Sequence, residues 1–351
     1  MNNFLKSILG AVLVFASGCN RVAPESTREF SWPVMGTYGS LILHDGAEDA
    51  ALDTAKAAVE EVNAHVSAFD PNSDVSKINA TSGTGQFVET RMHTRKVLEA
   101  SMRYHAESDG AFNPLIGPLM EVWGFFRGGE KHEFPPASGV VVETLPLCDF
   151  EGLEVRSADG ATRLWNPGMR LDFGAIAKGY AVDVAFERLV AAGYTNFIIN
   201  IGGNMRCIGT PRRGSSAWKV AVRDPRLKLE AEPLGTLLLS GGMAVATSGN
   251  YEQFFELDGK RYTHIVDPRT GMPVSGMAQV TVVARMAMEA DALSTTCFVL
   301  GPKGSASILA QHSGSGAMFV AVDASGGISV TTLGDFMAWL SPGKAVSDEP
   351  R

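Results

Sequence analysis

Apolar residues recur along this chain with two periods, and the dominant period changes near the middle. In the first half the spacing is helical. Leu52, Ala55, Val59, Val62 and Val66 fall at three- and four-residue steps, which predicts an amphipathic helix over 47–69. Asp70-Pro71-Asn72-Ser73-Asp74 ends it and caps a short second helix. Another helix is predicted over 91–107, stopped at Asp109-Gly110. Residues 31–43 read as a strand pair around Met35-Gly36-Thr37, and 126–139, with Gly-Gly, Pro-Pro and mixed charge, as a loop. The second half alternates instead. Strands are expected at 196–201, 218–222, 236–239, 243–247, 279–284, 317–322 and 328–332. Helices are expected at 176–192, ended by Gly193, and at 289–300, ended by Gly301. The fold class is therefore α+β, with mixed or antiparallel sheets and packed helices rather than strict strand–helix–strand alternation.

The N-terminus stands apart. Lys6 precedes an apolar run over 8–16, too short for a permanent membrane span. It ends in Ala16-Ser17-Gly18-Cys19, which resembles a bacterial lipobox, with Ala16 where a leucine is usual. Residues 1–19 are expected to be a lipoprotein signal cleaved before Cys19, 20–29 a polar tether, and 30–345 the folded domain. A net charge of −8 argues against nonspecific nucleic-acid binding, which needs a basic face. Cys148, Cys207 and Cys297 are widely spaced and lack C-x-x-C, so they make neither a metal site nor a disulfide framework. Buried thiols are the expectation, with a Cys148–Cys207 bridge left open.

Three segments carry candidate chemistry. Leu171-Asp172-Phe173-Gly174-Ala175-Ile176-Ala177-Lys178 is an apolar approach, a glycine turn and a helix start bearing a lysine. It can gather a carboxylate, backbone groups and one positive charge around a phosphate. Asp172-Phe173-Gly174 also occurs in protein kinases, but no glycine-rich nucleotide loop or His-Arg-Asp catalytic loop accompanies it. The structural alternative is Asp172 as a helix cap. Asp291 and Thr295 are four apart in an apolar helix, so both point from one face and suit Mg²⁺ as hard oxygen ligands. Their structural alternative is a cap and a hydroxyl bonded within its own helix. His264, at a strand end before Asp267-Pro268 and Thr270-Gly271, is a candidate general base.

Together and in order, these segments resemble the ApbE-type family of FAD:protein FMN transferases. The resemblance runs from Met35-Gly36-Thr37 through Ser73-Asp74, Asn79 and Phe112-Asn113-Pro114. It continues through 172–183, 200–203, 246–251 and 264–273 to Ala290–Thr295. It implies a T-fold-related architecture with the FAD site in a cleft, and Mg²⁺-dependent transfer of FMN from FAD to a Thr or Ser hydroxyl with release of AMP. Carried over, the metal ligands are Asp291, Thr295, Ser294 and the carbonyl of Ala175. Met35, Phe69, Ala111, Phe112, Asn113, Asp172, Lys178 and Ile265 line the FAD site, and His264 is the base. Asn113 stands where relatives often carry Asp. The family further implies an acceptor in an exported redox complex and a lipid anchor on the periplasmic side of the inner membrane. The same site would also serve a metal-dependent FAD pyrophosphatase, or a lipid-anchored protein that only binds FAD.

Overall fold

The computed structural model describes residues 27–44, 49–126, 132–211, 215–226, 232–323 and 325–342; the signal, Cys19 and most of the tether lie outside them. Eight strands form one sheet: Arg28–Val34, Thr37–Leu43, Phe197–Ile201, Asn204–Ile208, Ala244–Gly249, Gln279–Ala284, Gly316–Val322 and Ile328–Gly334. Their order across the sheet is their order in the chain, and every neighbouring pair is antiparallel. The α+β antiparallel expectation holds.

Side chains of successive residues leave a strand on opposite faces, and both faces here are covered. Phe197, Ile199, Ile201, Val280, Val282, Ala317 and Phe319 join the larger core beneath the helices Asp49–Val66, Ala177–Ala191 and Ala287–Gln311. Ile198, Val283, Met318 and Val320 point the other way, into a core shared with Trp218, Val220, Leu237 and Leu239. Those last residues belong to a three-stranded sheet of Trp218–Val222, Gly235–Leu239 and Leu340–Pro342. Burial on both faces explains why the strand Gln279–Ala284 is buried at all six positions.

Two hairpin turns lie side by side at one end of the sheet. Val34 pairs with Thr37 and Ile201 with Asn204, leaving two-residue loops. Met35 and Gly36 have φ of 47° and 77°, Gly202 and Gly203 of 57° and 92°. Positive φ at both positions is the turn that matches strand twist, and Met35 adopts it at a cost of about 1–2 kcal/mol. Gly202 donates to the Tyr38 carbonyl at 3.1 Å.

Several expectations are corrected. The first helix is Asp49–Val66, shorter than 47–69. The expected stop at Gly301 is present, with φ 66° outside the helical range, but a further helical stretch that was not expected starts at Pro302 and runs to Gln311. Gly117-Pro118 opens a short helix, Gly117–Val122, and the helix Ser138–Thr144 begins inside the span 126–139 expected to be loop. Strand Asn204–Ile208 and the hairpin Phe254–Leu257/Lys260–Thr263 were not anticipated. The three cysteines within the described residues are free and buried, and burial pushes each thiol up to about 12. No described helix is long and apolar enough to cross a membrane.

Candidate active site

The segment 171–178 is held in place by Asn79. Its side chain accepts from the Leu171 amide at 2.7 Å and donates to the Leu171 carbonyl at 3.0 Å. The next amide, of Asp172, donates to the Pro114 carbonyl at 2.7 Å, which joins the 111–114 segment to the site. Asp172 does not cap the following helix. Its Oδ1 accepts from Gly174 N at 2.6 Å in a local turn, and the helix Ala177–Ala191 has no side-chain cap at Ile176. Desolvation raises the Asp172 pKa, against the pull of the Gly174 amide, Lys178 and Arg170.

Lys178 leans back over the turn, donating to the Gly174 carbonyl at 2.5 Å, with its Nζ 3.9 Å from Asp291 Oδ1. Asp291 is 4% exposed, and its Oδ2 accepts from Gly179 N at 2.9 Å. A Cβ at Gly179 would overlap the Ala287 carbonyl oxygen and lie 2.7 Å from Asp291 Cβ, so only glycine permits this helix contact. Burial raises the Asp291 pKa as well, with Lys178 and the Gly179 amide opposing it. Asp291 does not cap its own helix; it takes a first-turn amide of the Ala177–Ala191 helix with one oxygen and keeps the other beside an ammonium.

Ser248 Oγ lies 2.8 Å from Ser294 Oγ and 3.2 Å from Thr295 Oγ1, while Ser294 donates to the Asp291 carbonyl at 2.9 Å. Ser294 is wholly buried behind the cluster, and Thr295 is part-exposed.

His264 Nδ1 lies 3.1 Å from the Gln253 carbonyl oxygen. A carbonyl only accepts, so Nδ1 carries the proton and Nε2 keeps its lone pair. Desolvation first, and the charge of Lys178 second, push the imidazole down to about 4 against the Gln253 contact. His264 is therefore neutral at physiological pH and within the field of Lys178. The turn after it is pinned by Trp123, whose Nε1 donates to the Gly271 carbonyl at 2.8 Å.

The remaining expected residues fall into two groups. Ala111, Phe112 and Ile265 are buried wall, and Asn113 is engaged with backbone: Oδ1 accepts from Leu115 N and Nδ2 donates to the Cys148 carbonyl, both at 2.8 Å. Phe69, by contrast, is 47% exposed, with its ring 5.0 Å from that of Phe126, over which the Arg170 guanidinium sits at 4.6 Å. Arg170 precedes Asp172 by two residues, so this stack adjoins the same wall. Met35 packs against the large core from its hairpin turn, and Ala175 lies in the turn before the Lys178 helix.

Two residues went unread in the sequence. Asp183, 1% exposed, accepts from the amides of Ala287 and Met288, both at 2.8 Å, and so caps the Asp291 helix from another helix. Arg206 Nη1 donates to the same carboxylate at 2.8 Å. Burial pushes Asp183 up to about 6, opposed by Arg206 and the two amides. The available signal was its position four after Gly179, on one helix face.

Among the described residues no three His, Cys, Asp or Glu side chains make a metal cage. The oxygens present do fit a hard cation that brings its own phosphate and water ligands: Asp291 Oδ1 has no hydrogen-bond donor within reach among the described contacts, and the part-exposed Thr295 hydroxyl belongs to the same cluster.

A lysine beside the buried Asp291 and the part-exposed Asp172, a hydroxyl cluster and a neutral imidazole make a site suited to a phosphate-bearing ligand. The model of the ApbE family matches residues 35–319. The FAD:protein FMN transferase of Vibrio cholerae is 32% identical over 307 residues, covering 86% of this chain and 88% of its own. That of Treponema pallidum is 34% identical over 289 residues, covering 78% of each chain. The crystal structure of the Pseudomonas stutzeri flavinyl transferase ApbE superposes with a TM-score of 0.78 at 29% identity, over 91% of this chain and 98% of that one. The chain belongs to the ApbE family and is an enzyme of the FAD:protein FMN transferase type.

Proposed function

We propose that this enzyme moves the FMN moiety of FAD onto a Thr or Ser hydroxyl of a target protein, with Mg²⁺ bound, and releases AMP. The observation that carries the reading is Asp291 Oδ1, placed beside Lys178, with Thr295 one helical turn on. Asp291, Thr295 and the Ala175 carbonyl would hold Mg²⁺, with Ser294 behind them, and the charge of the bound ion would offset that of the pyrophosphate and make AMP a better leaving group. Lys178 holds a phosphate oxygen. Phe69, with Phe126 beneath it, offers an exposed ring face to a flat ligand. His264 Nε2 takes the acceptor's proton as the hydroxyl oxygen bonds the FMN-side phosphorus, and the P–O bond to AMP breaks with its electron pair leaving on AMP.

Incubation with FAD, Mg²⁺ and a candidate acceptor domain tests this by mass. One FMN gained on the acceptor, with stoichiometric AMP, is the expected result. AMP with free FMN would make the enzyme a pyrophosphatase, and unchanged FAD a carrier. His264→Ala should abolish transfer while FAD still binds; transfer at the parent rate removes its role.

The lipobox supports a further part of the reading, an anchor through Cys19 on the periplasmic side of the inner membrane, near an exported redox complex as target. Cys19→Ala should move the protein from the membrane to the soluble fraction; unchanged membrane retention refutes the anchor.

A further inference from the structure

We infer that Ser248 is a positioning residue that takes the hydroxyl proton of Thr295 and so turns the lone pairs of Thr295 Oγ1 toward the cation. This deepens the reading of Asp291 and Thr295 as cation ligands and rests on it.

The direction of each hydrogen bond follows from counting protons. A hydroxyl has one proton to give and two lone pairs to accept with. Ser294 Oγ is 2.9 Å from the Asp291 carbonyl oxygen, which only accepts, so the Ser294 proton is spent there. In its 2.8 Å contact with Ser248, Ser294 must therefore accept, which spends the Ser248 proton. Ser248 can then only accept in its 3.2 Å contact with Thr295, so the Thr295 proton points at Ser248. The relay runs Thr295, Ser248, Ser294, Asp291 carbonyl. At its head, the part-exposed Thr295 Oγ1 is left with lone pairs only, which suits a cation and repels a phosphate oxygen.

The surroundings fix this arrangement. Strand alternation puts Ser248 on the helix side, the face that Ala244 and Ala246 bury into the large core. Thr247 faces away and bonds Thr281 Oγ1 at 2.9 Å instead. The next helix residue shows the alternative: Thr296 donates to its own helix, to the Ala292 carbonyl at 2.7 Å. Thr295 makes no such bond among the described contacts and is directed by Ser248.

The test uses the full chain loaded with FAD and titrated with Mn²⁺, the free ion being followed by electron paramagnetic resonance. Ser248→Ala should raise the Mn²⁺ Kd about tenfold, the usual size of losing an outer-shell partner. FAD affinity in EDTA and the Tm should stay at the parent values, and Ser248→Thr should restore Mn²⁺ affinity. Parent Mn²⁺ affinity in Ser248→Ala, with affinity lost in Asp291→Ala, overturns the role of Ser248 and leaves the cation reading standing. No Mn²⁺ binding by the parent itself overturns both.

Discussion

Gly179 gives its amide to Asp291 across a helix crossing so close that a methyl group at Gly179 would overlap the Ala287 carbonyl oxygen. Structure and site meet in this contact, because the same bond packs two helices and fixes the carboxylate. Gly179→Ala must part the helices, at about 2–3 kcal/mol by the usual cost of overpacking. Transfer activity should fall much further than stability does. Chemical denaturation and turnover at saturating FAD check both; parent turnover would show that the crossing does not set the position of Asp291.

Asp183 makes a second rung of the same ladder. Removing it leaves Arg206 without its carboxylate and the Ala287 and Met288 amides without an acceptor. Breaking a buried pair from one side costs about 3–5 kcal/mol. Asp183→Ala should lose about that much in urea unfolding. Arg206→Ala in the Asp183→Ala background should cost far less than it does alone; additive losses would contradict the coupling.

The pKa of His264, held near 4 in the fold, sets a direction with pH. The unfolded chain takes up the proton first, near 6.5, so the histidine's contribution to stability is whole above that value and falls away as pH drops from 6.5 toward 4. Its imidazole resonance should titrate near 4 by NMR. Lys178→Met should move that midpoint upward, since Lys178 opposes the proton. A midpoint near 6.5 in the parent would show the ring to be hydrated.

His312 has the opposite sign. Its Nδ1 lies 2.7 Å from Glu289 and its Nε2 3.0 Å from Glu107, and the Glu289 bond chiefly raises its pKa. That stabilisation is complete below pH 6.5 and is lost as pH rises through the raised value. His312→Gln should be less stable than the parent at pH 6, and the gap should close at alkaline pH. A gap independent of pH would rule out the charged bridge.

The amide nitrogen of Asn113 is in use, since Nδ2 donates to the Cys148 carbonyl. Asn113→Asp would set a carboxylate against that carbonyl, at about 1–3 kcal/mol. A Tm unchanged by the substitution would show that the segment relaxes around it.

Much of the sheet was legible because strands such as Gln279–Ala284 and Gly316–Val322 carry apolar side chains to two cores and read as unbroken runs. Asn204–Ile208 stayed hidden because Arg206 and Cys207 blur its alternation. Ser138–Thr144 was obscured by three consecutive valines that mimic a strand. In the site, Asp291 and Thr295 announced themselves through their spacing on one helix. Asp183 did not, because its partners are backbone amides, which leave no side-chain signature. Ser248 carries no signal of its own in the sequence. Its two hydroxyl neighbours lie on another element, and no spacing within its own strand points to them.

The sheet's sequential strand order also dictates when the cleft can exist. Gly179 and Asp291 are 112 residues apart in the chain. A chain emerging N-terminus first presents Asp172 and Lys178 well before the helix that completes their pocket. Until Ala287–Gln311 docks, a ligand finds Asp172 and Lys178 but not Asp291 and Thr295. A ligand bound across both halves therefore stabilises the finished molecule and none of its precursors, which makes occupancy of the cleft a marker of complete maturation.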